Sequence, residues 1–531
     1  MRSLQHDVGL LDGLGDLFYP TAHRKRDLGE RHLELVVHQE GVVRLGRGFH
    51  DVPNHVFEGH FVVHGPGCRG DVFPGNDLNT AVGQRSSEHA GLPSSYKGSP
   101  STGRYPRAGC TGCPLPSDLA RAVAVHTHSP PSGAFRGFGV PQAAVAQETL
   151  MDELAEAIGM DKLEFRLLNA LDNGVATVTG QVFRQGVGIR RCLEALKAHW
   201  DEAREAAGAF NGSSDGRRRR GVGVAAMWYG CGNTSLPNPS TIKVGLRRDG
   251  TLVLLQGAVD IGQGANTVIA QICADALGLP VDRMTLVTAD TAVMPDAGKT
   301  SASRQTFVTG KAAFLAGRNL RDNILLRMNA PEDAVLALDG VTLRAGERSL
   351  DLGMLEPDDG GFVLSGEGTF DPPTTALDEN GQGEPYAVFG WGAHLAIVEV
   401  DCELGRTRVL RLVAAHDVGR AVNPTLIEGQ VEGGSAQGIG MALMEQFIPG
   451  RTENLHDYLI PTAGDIPEVC TILLEEPDAH GPYGAKGIGE QVLIPTAPAI
   501  LNAIRDATGV SVRDLPVTPD KLHAALKAGR P

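Results

Sequence analysis

Four glycine-rich segments contain the residues of this sequence that are best suited to chemistry. The last of them, residues 484–490, reads Gly-Ala-Lys-Gly-Ile-Gly-Glu and ends at Glu490. A carboxyl group enclosed in a tight pocket with little water has a raised pKa and can act as a general base. The alternative, from the local sequence, is a surface glutamate that the dipole of a nearby helix favours.

The first of the segments, residues 132–139, places an aromatic ring between two glycines. Phe138 lies between Gly137 and Gly139, two positions after Arg136. Glycine lets the backbone approach a bound group closely, and an aromatic ring held on such a turn can stack on a flat substrate. An ordinary loop with a phenylalanine in the core is the alternative.

The second and third segments each precede a predicted helix. Residues 260–264 contain Gln263, whose amide can pair with the edge of a pterin-like ring, and Gly264, which leads into the helix. Residues 299–304 carry hydroxyl groups that, with the backbone N–H groups, suggest an anion-binding nest. Common glycine turns and a Ser/Thr helix cap are the alternatives. The sequence has no Walker-type phosphate loop to suggest ATP.

Composition excludes several classes of protein. The formal net charge of −15 argues against nucleic acid or an anionic membrane as the main partner. No run of 18 apolar residues is present, and the N-terminal residues lack the order of a signal peptide. The eight cysteines are scattered, and Cys110 and Cys113 have no second pair with which to hold zinc or an iron–sulfur cluster. We therefore expect a cytoplasmic protein.

The elements that must position these segments are a mixture of helices and strands without strict alternation. Apolar spacing predicts helices at 141–158, 265–277, 310–326, 425–443 and 497–507, the last with Thr496 as its cap. Strands are predicted at 240–247, 251–259, 393–401 and 407–415, and residues 202–220 are predicted to be a linker. The fold class is therefore α+β, with mixed sheets and packed helices.

Residues 1–117 differ from the rest of the chain in amino-acid composition and in periodicity. They hold nine of the 17 histidines, few alanines and no sustained helical period. A divergent domain, a disordered extension and translation from the wrong reading frame or strand are the three explanations, and we prefer the third. The segment is left unassigned.

From about residue 118 to its end, the sequence resembles the xanthine dehydrogenase and aldehyde oxidoreductase family of molybdenum hydroxylases. The four segments occur in the family's order and at roughly its separations. Shorter stretches of sequence outside the four segments also match the family, at 179–181, 392–394, 418–420, 427–433, 459–462 and 465–467. The resemblance implies a first cofactor-binding domain of which 118–201 is the C-terminal part, the linker at 202–220, and a second cofactor-binding domain at 221–531.

The resemblance also implies a role for each candidate residue. Glu490 would be the catalytic base, accepting a proton while water-derived oxygen is inserted at an electron-poor C–H carbon. Phe138 and Arg136 would bind the substrate, Arg136 near the metal. The metal would have no protein ligand, because the family's pterin holds it. The residues that would contact the pterin and its nucleotide tail are Gln263, Gly264, Thr300, Ser301, Ser303 and Gln430. The resemblance leaves the role of Lys486 open.

Electrons must leave such a site through other groups. The sequence has neither the Cys-x4-Cys-x2-Cys run of a plant-type [2Fe–2S] cluster nor a flavin fingerprint. The resemblance therefore implies separate iron–sulfur and FAD subunits, and molybdopterin in the cytosine dinucleotide form that is common in bacterial relatives. One departure is clear: the family's Gly-Gly-Phe-Gly-Gly type loop is missing before Ser132.

Three functional hypotheses follow. The first is hydroxylation of an N-heterocycle such as xanthine, or of an aldehyde, with a slight preference for the xanthine side. The second is a non-catalytic remnant or assembly partner that lacks the N-terminal half of the cofactor site. The third, a plain nucleotide-binding module, rests only on the glycine-rich turns.

Overall fold

The computed structural model describes residues 133–529, apart from 234, 235 and 379, and the backbone of five strands that precede them. These strands form an antiparallel sheet in the order β2-β1-β3-β5-β4. Their bounds are β1 Glu34–Val37, β2 Val43–Gly46, β3 Gly59–Val63, β4 Thr102–Tyr105 and β5 Asp118–Ala124. The cysteine pair at 110 and 113, and most of the unassigned segment 1–117, lie outside the described residues.

Helix α1, Val140–Ile158, confirms the helix predicted at 141–158, and a short helix, α2, Lys162–Leu168, follows it. Asp161 caps α2 by accepting hydrogen bonds from the backbone N–H groups of Leu163 at 2.9 Å and Glu164 at 3.1 Å. The two helices are joined by Arg166, which lies 2.7 Å from both Glu148 and Asp152, and all three side chains are fully buried.

Glu148 also fastens α1 to the central sheet. Its Oε2 accepts a hydrogen bond of 3.0 Å from the backbone N–H of Ala226. Because removing one partner of a buried pair leaves an uncompensated charge, this network strongly constrains where α1 can lie.

Helix α3, Ile189–Ser213, corrects the prediction of a linker at 202–220. Residues 202–213 are helical, and strand β6 begins at Arg218. The reason is that Trp200, Ala203 and Ala207 continue the buried stripe of the helix into the polar, glycine-containing stretch. Tertiary packing of this stripe outweighs the weak helix propensity of the glycines.

The central sheet has the order β16-β15-β14-β6 and positions most of the site. The pairing is antiparallel except between β15 and β16. An aromatic core that includes Trp228, Phe389 and Trp391 packs between this sheet and α3. Helix α7, Thr496–Thr508, packs so closely on this sheet that a Cβ at Gly223 of β6 would lie 2.2 Å from the Ala499 carbonyl oxygen. The strand bounds are β6 Arg218–Gly230, β14 Phe389–Asp401, β15 Arg406–Asp417 and β16 Glu468–Leu474.

A second sheet, in the order β13-β7-β8-β9, is covered by helices α4 and α5. Here too glycine permits close packing, since a Cβ at Gly366 would lie 2.3 Å from the backbone nitrogen of Leu320. A small sheet, β10-β11-β12, follows α5. The bounds are β7 Ser240–Arg247, β8 Leu252–Gln256, α4 Ala265–Leu277, β9 Met284–Val287, α5 Gly310–Met328, β10 Leu336–Asp339, β11 Thr342–Ala345, β12 Arg348–Asp351 and β13 Phe362–Phe370.

The remaining helices are α6 Pro424–Leu443, α7 Thr496–Thr508 and α8 Pro519–Ala528. The prediction that Thr496 caps α7 is wrong, because Thr496 is the first residue of the helix. Its hydroxyl instead pairs with Nδ1 of buried His394 at 3.0 Å. Together these sheets and helices confirm the α+β class with mixed sheets. None of the described helices is both long and apolar enough to cross a bilayer.

Candidate active site

Glu490 lies in the loop between β16 and α7, where three other parts of the chain supply hydrogen-bond donors to its carboxylate. Oε1 accepts from the backbone N–H of Gly137 at 3.2 Å. Oε2 accepts from the hydroxyls of Tyr229 at 3.0 Å and Ser303 at 3.3 Å. The Glu490 backbone N–H in turn donates to Oγ of Ser303 at 2.9 Å. The side chain is therefore fixed in position before any ligand arrives.

Glu490 is half-buried, and the burial of its carboxyl is the largest influence on its pKa. Desolvation of the carboxyl raises its pKa above the usual value, while the hydrogen bonds from Tyr229, Gly137 and Ser303 and the charge of Arg136 oppose the rise. A glutamate with a raised pKa is the better proton acceptor near neutral pH. Burial also raises the pKa of Tyr229 well above its usual value, so its hydroxyl remains a donor.

Arg136 uses its side chain to join the loops around Glu490. Nε donates to the carbonyl oxygen of Gly489 at 2.5 Å, and the two terminal nitrogens donate to Oε1 of Gln437 at 3.2 Å and Oε1 of Gln430 at 2.9 Å. Three of the five N–H donors of a guanidinium are thereby committed to protein groups. Gln430 and Gln437 lie two turns apart on α6, so one face of this helix receives the guanidinium.

Phe138 occupies a strained turn beside this cluster. Its φ of 52° is in the left-handed region, between Gly137 at 84° and Gly139 at 97°. A phenylalanine pays for this conformation, and such residues are concentrated at functional sites. The Phe138 side chain is half-buried, and the Gly137 N–H that binds Glu490 belongs to the preceding residue.

The loop at 259–264 is organised from within. Gln263 folds back, accepting from the Ile261 N–H at 2.6 Å and donating to the Val259 carbonyl at 3.2 Å. Asp260 accepts hydrogen bonds from the N–H groups of Gly262, Gly264 and Asn266. Although partial burial opposes it, these backbone bonds hold the pKa of Asp260 below its usual value. Gly264, with φ 81°, directly precedes α4 as expected.

The loop at 299–303 lies beside this one. Oγ1 of Thr300 donates to the Val259 carbonyl at 2.7 Å and links the two loops, while Ser301 is exposed. Ala302 and Ser303 both have left-handed φ values, 55° and 52°. Ser303 is the residue that reaches Glu490. The structure therefore groups Arg136, Ser303, Gln430 and the Phe138 turn around Glu490, and Gln263, Gly264 and Thr300 in the neighbouring loop pair.

Three residues of the site were not predicted from the sequence. Tyr229 carries no motif signal beyond being an aromatic residue with a polar tip near the end of a strand. Gln437 could have been found from its position seven residues after Gln430, on the same face of a helix. Lys486 was noted without a role, and it is fully buried in an ion pair with Asp417. Among the described residues, no group of three or more His, Cys, Asp or Glu could hold a metal ion.

Comparison with known proteins identifies the relatives of this chain. Two family models, each described as a molybdopterin cofactor-binding domain, match residues 115–170 and 194–467. The putative xanthine dehydrogenase molybdenum-binding subunit of Escherichia coli is 34% identical over 424 residues, covering 75% of this chain and 54% of its own length. The aldehyde oxidoreductase of Megalodesulfovibrio gigas is 34% identical over 418 residues, covering 77% of this chain and 43% of its own length.

A solved structure gives the same result. The aldehyde oxidoreductase from Desulfovibrio gigas superposes with a TM-score of 0.65 at 31% identity, over 75% of this chain and 42% of that one. The chain spans about half the length of the curated relatives it matches. The sequence resemblance is thus confirmed, and the chain belongs to the xanthine dehydrogenase and aldehyde oxidoreductase family of molybdenum-binding subunits, whose named members are oxidoreductases.

Proposed function

We propose that this chain forms part of the active site of a molybdenum hydroxylase, with Glu490 as its catalytic base. The observation that carries the proposal is the unequal hydrogen bonding of the two carboxylate oxygens of Glu490. Oε2 accepts from two hydroxyls, whereas Oε1 accepts from one backbone N–H within the described residues. Because a carboxylate oxygen has two lone-pair sites, Oε1 is the atom suited to receive a proton.

The residues present fit a molybdopterin cofactor. The carboxylate is desolvated, and a Cβ at Gly262 would meet nothing within 4 Å, so the adjacent loop has open space for a bound group. In the proposal, Gln263, Gly264, Thr300, Ser301, Ser303 and Gln430 hold the pterin and its nucleotide tail. When bound, the group would supply the two-electron oxidation that inserts water-derived oxygen at a C–H carbon.

Glu490 is the one residue that the proposal gives a chemical step. The other residues of the site orient the substrate and the base. Phe138 presents an aromatic ring for a flat substrate, and Arg136 binds the Gly489 carbonyl next to the base. The proposed substrates are an N-heterocycle of the xanthine kind or an aldehyde, in keeping with the names of the relatives. Electrons would pass to [2Fe–2S] and FAD subunits in the cytoplasm, and the pterin would carry a cytosine nucleotide.

The proposed domain division keeps 118–201 as the end of one cofactor-binding domain and 221–531 as the second. The linker at 202–220 is not retained, because α3 extends to Ser213 and β6 begins at Arg218. One apolar core includes Leu196 of α3 and Val224 of β6, so the two parts would act as one body at the site.

The test is to purify the complex with its iron–sulfur and FAD subunits and to measure molybdenum, pterin nucleotide and turnover of xanthine, nicotinate and benzaldehyde. Glu490→Gln should lower turnover by about 100-fold or more with the cofactor retained. Glu445→Gln is the matched control, because Glu445 also accepts a tyrosine hydroxyl bond, from Tyr458 at 2.7 Å. Unchanged turnover in Glu490→Gln would remove Glu490 from the reaction, and a complex without molybdenum would favour a non-catalytic role.

A further inference from the structure

We propose that the buried ion pair of Lys486 and Asp417 is a positioning device that holds Glu490 against its hydrogen-bond donors. The inference rests on the proposed function in so far as Glu490 is the base. Nζ of Lys486 lies 2.5 Å from Oδ2 of Asp417, and both side chains are completely buried. Neither residue forms a hydrogen bond or an ion pair with Glu490 in the described part of the chain, so the effect passes through the loop.

The pair joins three separate segments of the chain. Nζ of Lys486 donates to the Gly186 carbonyl oxygen at 2.7 Å, just before α3. Oδ1 of Asp417 accepts from the backbone N–H groups of Gly419 at 2.9 Å and Glu476 at 3.1 Å. Every polar atom of the pair's carboxylate is therefore used, and the ammonium is bound to both a carboxylate and a carbonyl.

The backbone packs closely around the pair. A Cβ at Gly188 would lie 2.3 Å from Oδ2 of Asp417, and one at Gly419 would lie 2.0 Å from the Gly484 carbonyl oxygen. Both positions therefore require glycine for the segments to meet. The Lys486 backbone N–H also donates to the Val418 carbonyl at 3.0 Å, which fixes the main chain next to the charged group.

The segment from Lys486 to Glu490 can transmit this constraint. It contains no helix or strand, so its path depends on contacts at each residue. A Cβ at Gly487 would lie 1.9 Å from the Ser303 carbonyl oxygen, and Ile488 is buried. A shift at Lys486 must therefore move the chain along Ser303, the residue that donates to the Glu490 carboxylate.

The energetic cost of burying an ion pair favours a positioning role over simple stabilisation. Transferring two charges out of water is costly, and well-packed apolar residues often stabilise a core as well or better. Burial raises the pKa of Asp417, and the adjacent Lys486 opposes that rise. Beyond stability, the pair fixes the position of the Lys486 side chain, because the ammonium must lie within reach of both the Asp417 carboxylate and the Gly186 carbonyl.

The experiment asks whether the Tyr229–Glu490 hydrogen bond survives loss of the anchor. The Glu490 carboxyl is titrated by infrared difference spectroscopy in the full complex, with Glu490→Gln as the subtraction reference. Tyr229→Phe should raise the pKa of Glu490 in the otherwise native protein, because a donor to the charged form is lost. In a Lys486→Met background that shift should fall to less than half of its native size.

A second background separates positioning from damage to the fold. Lys486→Met with Asp417→Asn removes both charges, which avoids a lone buried carboxylate, and should behave like Lys486→Met. Lys162→Met is the matched control. It breaks a mostly buried pair with Asp152 3.3 Å away, and should leave the Tyr229→Phe shift intact.

Full retention of the Tyr229→Phe shift in both Lys486 backgrounds would overturn the inference. Its loss in Lys162→Met as well would do the same, since the coupling would then reflect general loosening. Turnover measured in parallel should fall by about 100-fold in Lys486→Met, with little change in KM. The infrared titration needs no turnover, so an inactive native complex would contradict the proposed function without deciding this inference.

Discussion

The hydroxyl of Tyr229 donates a 3.0 Å hydrogen bond to Oε2 of Glu490 across 261 residues of sequence. Tyr229 lies there because β6 is buried from residue 221 to its end at Gly230, and its last residues reach the site. The bond favours the charged carboxylate and limits the rise in pKa that burial causes. The strand and the loop thus set the ionisation of the base together.

Removing this hydroxyl should move the pH dependence of the reaction in one direction. In Tyr229→Phe the pKa of Glu490 rises, so more of the base is protonated at a given acidic pH. The acid limb of kcat/KM should move to higher pH, and the rate on that limb should fall by about fivefold, the worth of one hydrogen bond. Tyr458→Phe, which removes the hydroxyl donor to Glu445, should leave the limb unchanged. A limb displaced towards lower pH would contradict the assignment.

Two glycines in the same loop should respond differently to alanine. A Cβ at Gly487 would meet the Ser303 backbone carbonyl at 1.9 Å, whereas one at Gly489 would find its nearest atom, Oγ of Ser303, at 3.6 Å. We expect Gly487→Ala to lower kcat by about 100-fold, because the base is displaced, and Gly489→Ala to stay within about threefold of the native enzyme. Equal activities of the two variants would show that the loop adapts freely.

The guanidinium fork of Arg136 should be irreplaceable by a lysine. Lysine keeps the charge but cannot reach Gln430, Gln437 and the Gly489 carbonyl at once. We expect Arg136→Lys to lower kcat at least tenfold, and Gln437→Ala to produce a smaller loss of the same kind. The measurement is steady-state turnover with molybdenum content determined in the same samples. A fully active Arg136→Lys enzyme would show that positive charge alone is needed.

A pair of buried histidines should make the protein sensitive to mild acid. Nε2 of His394 and Nε2 of His416 lie 2.8 Å apart, and burial lowers the pKa of His394 well below normal and that of His416 to about 3. Below about pH 6.5 the two histidines bind protons in the unfolded chain but remain neutral in the folded chain. The free energy of unfolding should therefore fall as the pH drops from 7 to 5.5, by about 1 kcal/mol per histidine.

Thermal unfolding at several pH values checks this expectation. The midpoint should decline from pH 7 to 5.5 in the native protein. His416→Gln should lower the midpoint at pH 7 but flatten its dependence on pH, because one of the two groups no longer titrates. Parallel curves for the two proteins would assign the acid sensitivity to other groups.

The sequence predicted regular elements better than their junctions. The helix at 265–277 and the strand at 240–247 are found with the predicted bounds. In these stretches the apolar period alone decides the structure. The prediction of a linker at 202–220 was wrong because α3 continues to Ser213, where burial of Ala203 and Ala207 stabilises the helix. Composition does not reveal this tertiary effect.

The same limit applies to the site. Glu490 and the Phe138 turn could be found because glycine-rich motifs mark them. Tyr229 could not, since its function depends on which loop lies opposite the end of β6. Thr496 was misassigned as a cap because its buried partner, His394, is 102 residues away in sequence. Roles set by distant partners require the fold.

The contacts of Arg136 with Gly489 and of Gly137 with Glu490 each span 353 residues. Local helices and hairpins form early in folding, while contacts between distant parts of a chain form late, because closing the intervening loop costs entropy. We therefore expect the base to reach its donors among the last events of maturation. A chain that stops short of this step would already have most of its secondary structure, and would differ from the finished subunit mainly in its readiness to accept a cofactor.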